Sequence, residues 1–545
     1  MGPSLAKATD ATADDHRSDD ASVIHDGNLK YMVGEGANSS RRTYQEASGA
    51  PIETTSPLGY SVGFVTVVFL NMGKMIGTGV FSTPSTIVKG VGSVGLSLFY
   101  WVIGYLMAAS TLSVYLEFAS YFPSRSGSEV VYLEQSFPRP RYFFPTVFAM
   151  QTVIFSFSSS NCVVLAFDTK WSLRLCNAIG IVKLIVLIFI GITGLVVLGG
   201  NTSIPDPTVN FRHAFEGSSA ISVYGATNAL VKVMFSFAGF ENAFNVVNEV
   251  RNPVKTLKWS APTALLLTAT LYILANIAYF SAGTKEEILN SEAVAASVFF
   301  EKVFGTSSAS RALNFFICVS VFGNLITVLV GSSRMLRECG RQGVLPFTMF
   351  WTSTWPFGTP LGPYAVKWAT TVLMILIPPA GDAFNFVVDL GVYPTSFFTF
   401  LLSVGLLATR YRRKHLSIPR SEYRAWDVAV IFSILSNLYM LVAPWYPPTT
   451  GATGGDVSFW YATYCVVGLG IVAFCGAYYY VWIKILPKHG GYQFRQTVIQ
   501  LDGGAIAHQL VKVPNEQLAE WDMEHDAIGR VRRRLLHGSE EDIKA

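Results

Sequence analysis

The sequence predicts an all-α polytopic membrane protein, a transporter of the inverted-repeat kind with one broken helix opening each half. Three observations carry this. Of the 545 residues, 51% are hydrophobic and only 14% are charged, against about 25% charged in soluble domains. Eleven apolar runs are long enough to cross a bilayer. Two of these runs, one near the start of each half, are interrupted by glycines, the sequence mark of helices unwound at a midplane site.

Taken in order, residues 1–55 are rich in Ala, Ser, Asp and Gly and poor in aromatics, so they read as a disordered cytosolic tail. The apolar runs follow at 60–88, 93–121, 143–167, 174–199, 222–249, 258–282, 311–333, 364–380, 383–409, 426–445 and 458–485. They make residues 56–488 a transmembrane domain. Residues 489–545 return to a charged composition, ending "GRVRRRLLHGSEEDIKA", and read as a second cytosolic tail with room for a short helix.

Several functions are excluded by composition. A net charge of +4 gives nucleic acid binding no support. The six cysteines show no metal-ligand spacing, and five lie in apolar runs as small buried hydrophobes. All eight histidines lie outside the runs, which argues against a membrane haem. With no nucleophile–base constellation and no metal motif, neither an enzyme nor a cofactor is expected.

Lys and Arg in short loops set orientation. The segments 123–141, 251–258, 334–342, 410–415 and 484–489 are basic and read as cytosolic, with 200–221, 283–310 and 446–457 outside. One conflict arises. Counting from the loop at 123–141, one span ends outside near residue 168. Counting back from 251–258, residue 170 is inside, as Lys170 and Arg174 also suggest. The "VLAFDTK" between is too short to cross about 30 Å of hydrocarbon. An odd number of spans is missing there, or 143–167 re-enters without crossing.

The broken runs are "IGTGVF" (76–81) and "FSFAGFENAFNVVNEV" (235–250). Gly77 and Gly79 admit backbone conformations that other residues resist. Unwinding frees amides at the start of a half-helix, whose end carries roughly half a positive charge and suits a carboxylate. Such backbone must face protein or a water-filled cavity, because lipid offers it no partner. Close helix packing through small residues is the competing reading, and the matched pair weighs against it.

Intramembrane charge adds a second signal. Lys183 lies well inside "NAIGIVKLIVLIFIGITGLVVL". A lysine there is costly, and burial disfavours its charged form, which makes it a candidate proton carrier. Snorkelling is the alternative for Lys183 and the default for Lys74 and Lys232. Glu241 and Asn242 face either substrate or helix packing. Glu117 reads as a hydrogen-bonding or proton group, and Glu249 and Asp389 as gate or packing residues.

These residues resemble a family. "MIGTGVF" followed by "YLEFASYFPSRSGSEVVYLEQSF" is similar to the opening of the amino acid–polyamine–organocation superfamily, and most similar to its L-type amino acid transporters and fungal high-affinity methionine permeases. "FSFAGFENAFNVVNEVRNPVKTLK" resembles the family's sixth span and exit loop, "GSSRMLRECGRQGVLP" the loop after its eighth, and "KVPNEQLAEWDMEHDAIGRVRRR" the fungal tail. The resemblance covers roughly 56–540. It implies twelve spans, five plus five as an inverted repeat and then two, with the first and sixth broken.

Carried over by residue, the resemblance implies that Ile76, Gly77, Thr78 and Gly79 hold a substrate carboxylate through the backbone. Phe235, Ser236, Phe237, Ala238 and Gly239 match the break that holds the amine through carbonyls, with Phe235 as gate. Lys183 matches a fifth-span lysine that, in proton-coupled members, stands where sodium binds in related folds. Glu241, with Asn242 beside it, falls where some members carry an asparagine ligand, and its charge departs from that pattern.

The repeat demands five spans before residue 222, and four are found, so the family's fourth span is absent, by a splice or gene-model deletion or as a genuine variant. The expected activity is proton symport of a neutral L-amino acid, methionine or another large apolar one, across the plasma membrane by alternating access. A non-transporting sensor and an exchanger are the alternatives. The L-type cysteine that bonds a partner subunit lies in the missing region, so no partner is implied.

Overall fold

The computed structural model describes residues 23–26, 29–34, 43–46 and 49–531, apart from 51–55, 57, 156–168, 203, 291–294, 306–307, 355–358, 360, 367–382, 450, 454, 456, 502–505 and 526–528. Among the described residues, eight helices are long and apolar enough to cross a membrane, and one bent pair makes a ninth pass.

The bent pair is α1 (Phe64–Met75) and α2 (Gly79–Val91), set at 46° to each other. Then come α3 (Val94–Tyr121), the short α4 (Glu129–Ser136), α5 (Phe143–Phe155) and α6 (Thr169–Leu198). The second broken run is α7 (Val223–Phe237) followed by a 3-10 segment, Asn242–Glu249. The long helices that follow are α8 (Pro253–Ala282), α9 (Ser308–Arg341), α10 (Ala383–His415), α11 (Asp427–Val442) and α12 (Thr463–Tyr479), the last continuing to Gly490.

Tertiary hydrogen bonds sort the connections into two faces. On one, Val62 N donates to Glu249 O at 3.2 Å, Arg412 reaches Ser136 O at 3.0 Å, and the Tyr479 hydroxyl donates to Arg141 O at 2.9 Å. This face collects the arginine- and lysine-rich loops and is called the basic face here. On the other, Ser93 and Ser218 hydroxyls meet at 2.7 Å, and Asn210 donates to Phe280 O at 2.8 Å and Gly283 O at 2.7 Å. The two-sided arrangement read from the loops is therefore present in the fold.

The helices are apolar nearly all round because they meet protein on one side and lipid on the other. On α6, Ile181, Ile185, Ile188, Ile192 and Leu195 are exposed at helical spacing, while Lys183, Leu187 and Ile190 on the opposite side are buried.

Of the eleven expected runs, nine correspond to helices, or to the one bent pair, long and apolar enough to cross a membrane. The other two, 143–167 and 364–380, fall partly outside the described residues. The parity conflict persists. Asn177 of α6 donates to Thr66 near the start of α1 at 3.2 Å, so α6 starts at the basic face, as α5 does. Between them only α5 is described, 13 residues or about 20 Å.

Both tails contain strands. Within the segment read as disordered, Val23–Asp26, Leu29–Gly34 and Thr43–Glu46 pair as an antiparallel sheet. In the C-terminal segment, Tyr492–Gln500 and Ile506–Pro514 form a hairpin, followed by a short helix at Leu518–Glu524. The hairpin docks on the end of α9, where Arg341 Nε donates to Ile506 O at 2.9 Å.

Candidate functional site

The first break is built by close approach. Helix α1 ends at Met75, and Ile76 (φ −78°, ψ 86°) turns out of it while its amide still bonds Met72 O at 2.7 Å. Helix α2 restarts at Gly79. A Cβ at Gly77 would sit 2.9 Å from Asn324 Nδ2, and one at Gly79 would sit 2.5 Å from Ser236 Oγ. Neither glycine has a positive φ. The expectation that they supply unusual dihedrals is corrected: they supply room. In α2 the amides of Phe81 and Ser82 bond Thr78 O at 3.1 and 3.0 Å. Those of Thr78, Gly79 and Val80 precede the first amide that donates within the helix and are the free end of its dipole. Pro84 lies within α2, which runs on to Val91, so it does not end the half-helix.

The second break does need a dihedral. Helix α7 is capped by Ser222, whose hydroxyl accepts from Gly225 N at 3.0 Å, and it stops at Phe237. Gly239 has φ +129°, and a Cβ there would lie 2.8 Å from Met75 N. The strained residue of one break is thus seated on the backbone of the other.

One side chain joins them. The buried Tyr272 hydroxyl of α8 lies 2.7 Å from Met75 O and 3.0 Å from Ser236 O, the last carbonyls of α1 and nearly the last of α7. Trp101 and Phe237 pack against its ring at 5.3 and 5.4 Å. Thr83 adds a tie, its hydroxyl 2.8 Å from Gly79 O and 3.3 Å from Ser236 Oγ.

Lys183 does not snorkel. It is 3% exposed, and its Nζ donates to Gly73 O at 2.9 Å and Ile76 O at 2.5 Å. Ser320 of α9 donates to Ile76 O at 3.3 Å, and Asn324 donates to Lys74 O. The Lys183 amino group therefore sits at the carbonyl end of α1, where the half-helix dipole is negative.

Glu241 and Asn242, open between substrate and helix packing in the sequence, both make packing contacts in the structure. Glu241 accepts from Lys74 Nζ at 2.6 Å and from Gly239 N at 2.9 Å, so both oxygens are engaged in holding the two breaks together. Asn242 Nδ2 donates to Leu70 O at 3.2 Å and Thr327 O at 3.0 Å, a packing role between α1 and α9. The Phe237 side chain is fully buried in the aromatic cluster behind the break. Around the breaks, Thr78 and Phe235 are half-buried and Ala238 is exposed. Ile76, Ser236 and the glycines 77, 79 and 239 contribute backbone.

The remaining charges are paired. Lys74 meets Glu241 as above, and Lys232 meets Asp389 at 2.7 Å with both fully buried, so neither lysine snorkels. Arg334 holds Glu249 at 3.0 Å and the Tyr364 hydroxyl at 2.8 Å. Glu117 accepts from Arg410 at 2.8 Å, Tyr121 at 2.6 Å and Ala425 N at 2.8 Å, a structural clamp between α3 and the α10–α11 corner. Sequence reasoning missed Tyr272, Ser320 and Asn324. Each is a lone hydroxyl or amide in an apolar run, the signal that was available.

The sequence profile of the amino acid permease family matches residues 62–167 and 153–474. The chain belongs to the amino acid permease family. It is 34% identical to the high-affinity methionine permease of Saccharomyces cerevisiae over 501 residues, covering 86% of this chain and 87% of that one. It is 30% identical to the low-affinity methionine permease of the same yeast, covering 84% and 89%. To the b(0,+)-type amino acid transporter 1 of Rattus norvegicus it is 27% identical, covering 74% and 86%. The family profile matches in two pieces that overlap at 153–167, where the spans lose parity. The 501-residue alignment takes in 86% of 545 residues, so about 30 of its positions have no residue here.

Proposed function

We propose that this permease carries a neutral L-amino acid with a large apolar side chain, methionine foremost, across the plasma membrane together with a proton. The observation that supports this best is the Tyr272 hydroxyl bridging Met75 O and Ser236 O. It ties the carbonyl end of α1 to that of α7, and the amide end of α2 follows three residues after Met75, so free amides and free carbonyls lie at one place, a pairing suited to a zwitterion. The substrate carboxylate takes the amides of Thr78, Gly79 and Val80, and its ammonium takes the carbonyls of Phe237 and Ala238. Phe235 closes over the side chain. Glu241 and Asn242 hold the frame and do not touch substrate.

Lys183 is the proton carrier in this reading. Charged, it neutralises the carbonyl end of α1 and keeps the first break in register. Neutral, it loosens its hold on Gly73 and Ile76, and the half-helix is free to tilt. In this reading the basic face, rich in lysine and arginine, is cytosolic, and both tails lie inside, flanking a membrane domain of residues 56–488. No partner subunit is needed in this scheme.

A second reading rests on the interrupted family match. With the fourth span absent from the chain, the site binds an amino acid without completing the transport cycle, as a sensor or a transport-deficient form. Uptake of radiolabelled methionine into proteoliposomes with an imposed proton gradient decides between the two. Accumulation that a protonophore abolishes supports symport. Saturable binding without accumulation supports the second reading. Counterflow without net uptake identifies an exchanger.

A further inference from the structure

Helix α12 outruns the bilayer. From Thr463 to Gly490 it spans 28 residues, about 42 Å at 1.5 Å per residue, against a hydrocarbon core of about 30 Å. Its last turns therefore stand in the headgroup layer of the basic face. Tyr478 and Trp482 stack at 5.8 Å just before that layer, as interfacial aromatics do. Lys484 and Lys488 follow, one turn apart on one side.

These turns wall a cavity of about 480 Å³. Its other walls are Arg141 and Tyr142, from the loop that enters α5, and Tyr492, Phe494 and Arg495 of the tail hairpin. Arg495 is paired with Asp522 at 2.8 and 3.0 Å. Arg141, Lys484 and Lys488 are exposed, and among the described residues their side chains make no hydrogen bond or ion pair. Three cations around one concavity repel each other and focus a positive potential into it. Beside the opening, Val481, Ile485 and Leu486 are exposed on α12, an apolar strip leading from the cavity back into the hydrocarbon.

We propose that this cavity holds the phosphorylated headgroup of a membrane lipid, with its acyl chains along Val481 and Ile485. The charge asks for a phosphate, and the apolar strip favours a lipid over a soluble phosphate. A headgroup there touches a membrane loop, a helix end and the tail hairpin together, so it fastens the hairpin to the membrane domain. Basic pockets at the ends of membrane helices are suited to such headgroups.

The test uses the full chain in nanodiscs of phosphatidylcholine with or without a few per cent phosphatidylinositol 4-phosphate, with bound lipid counted by native mass spectrometry. Wild type retains the phosphoinositide. The triple variant Arg141→Gln, Lys484→Gln, Lys488→Gln retains it at least about tenfold more weakly. Lys484→Arg with Lys488→Arg retains it, which separates charge from folding. Lys255→Gln with Lys258→Gln, in the first turns of α8 at the same face, also retains it. Equal retention by the triple variant overturns the site, as does equal loss in the Lys255 and Lys258 control. Displacement by inositol 1,4-bisphosphate as readily as by lipid overturns the lipid assignment.

Discussion

The Lys183 Nζ lies 2.5 Å from the carbonyl oxygen of Ile76, the residue at which the first half-helix unwinds. A buried lysine from one helix thus caps the broken end of another, beside the backbone assigned to substrate. Lys183→Ala removes both of its bonds to α1. The expected outcome is loss of proton-driven methionine accumulation while methionine binding survives, read by uptake with and without a protonophore and by equilibrium binding. Unaltered, protonophore-sensitive uptake in this variant removes Lys183 from the coupling.

Tyr272→Phe keeps the ring packed on Trp101 and Phe237 but leaves the carbonyls of Met75 and Ser236 without their donor. Loss of a buried partner costs about 1–3 kcal/mol. Methionine affinity should fall by about tenfold or more, with the protein still folded. Isothermal titration measures it, and unchanged affinity contradicts the bridging role.

The glycines differ in what they tolerate. Gly239→Ala places a Cβ against Met75 N at 2.8 Å on a backbone at φ +129°, so it should abolish uptake and lower Tm. Gly470→Ala meets open space on α12 and should leave uptake intact, gaining up to about 1 kcal/mol of helix stability. Thermal unfolding and uptake of the two variants, side by side, check the contrast.

The Lys232–Asp389 pair is fully buried between α7 and α10. Asp389→Asn leaves a buried ammonium without its carboxylate, a loss of about 3–5 kcal/mol, whereas the double change Lys232→Met, Asp389→Leu should recover most of it. Additive losses in a double-mutant cycle of Tm contradict a coupled pair.

How far the sequence carries can be judged from particular residues. The membrane passes were legible because apolar runs of bilayer length have few other uses. Both breaks were legible because glycine is conspicuous in such runs, and Lys183 because a charge there is. The helix faces were not. Phe235 and Phe237 are two residues apart in a run that is apolar all round, and nothing in its pattern says that Phe237 turns into the Trp101 cluster while Phe235 stays partly open. Pairings across the chain were equally hidden. Lys74 and Glu241, or Lys232 and Asp389, are brought together by packing alone, so each lysine looked ready to snorkel. The glycines at 77 and 79 were found for the wrong reason, since contacts with Asn324 and Ser236 require long-range structure to be seen. The tail hairpin escaped because its strands are polar on the exposed side and its seat is the end of α9.

The central claim is that the two broken spans form one amino acid site. It is tested most directly by equilibrium binding of radiolabelled L-methionine to the purified full chain and to Gly79→Val, whose side chain would occupy the space now filled by Ser236 Oγ at 2.5 Å from a Cβ. The account predicts saturable binding to wild type, competed by large neutral L-amino acids and not by methionine methyl ester, and none to a folded Gly79→Val. Undiminished binding by that variant would contradict it.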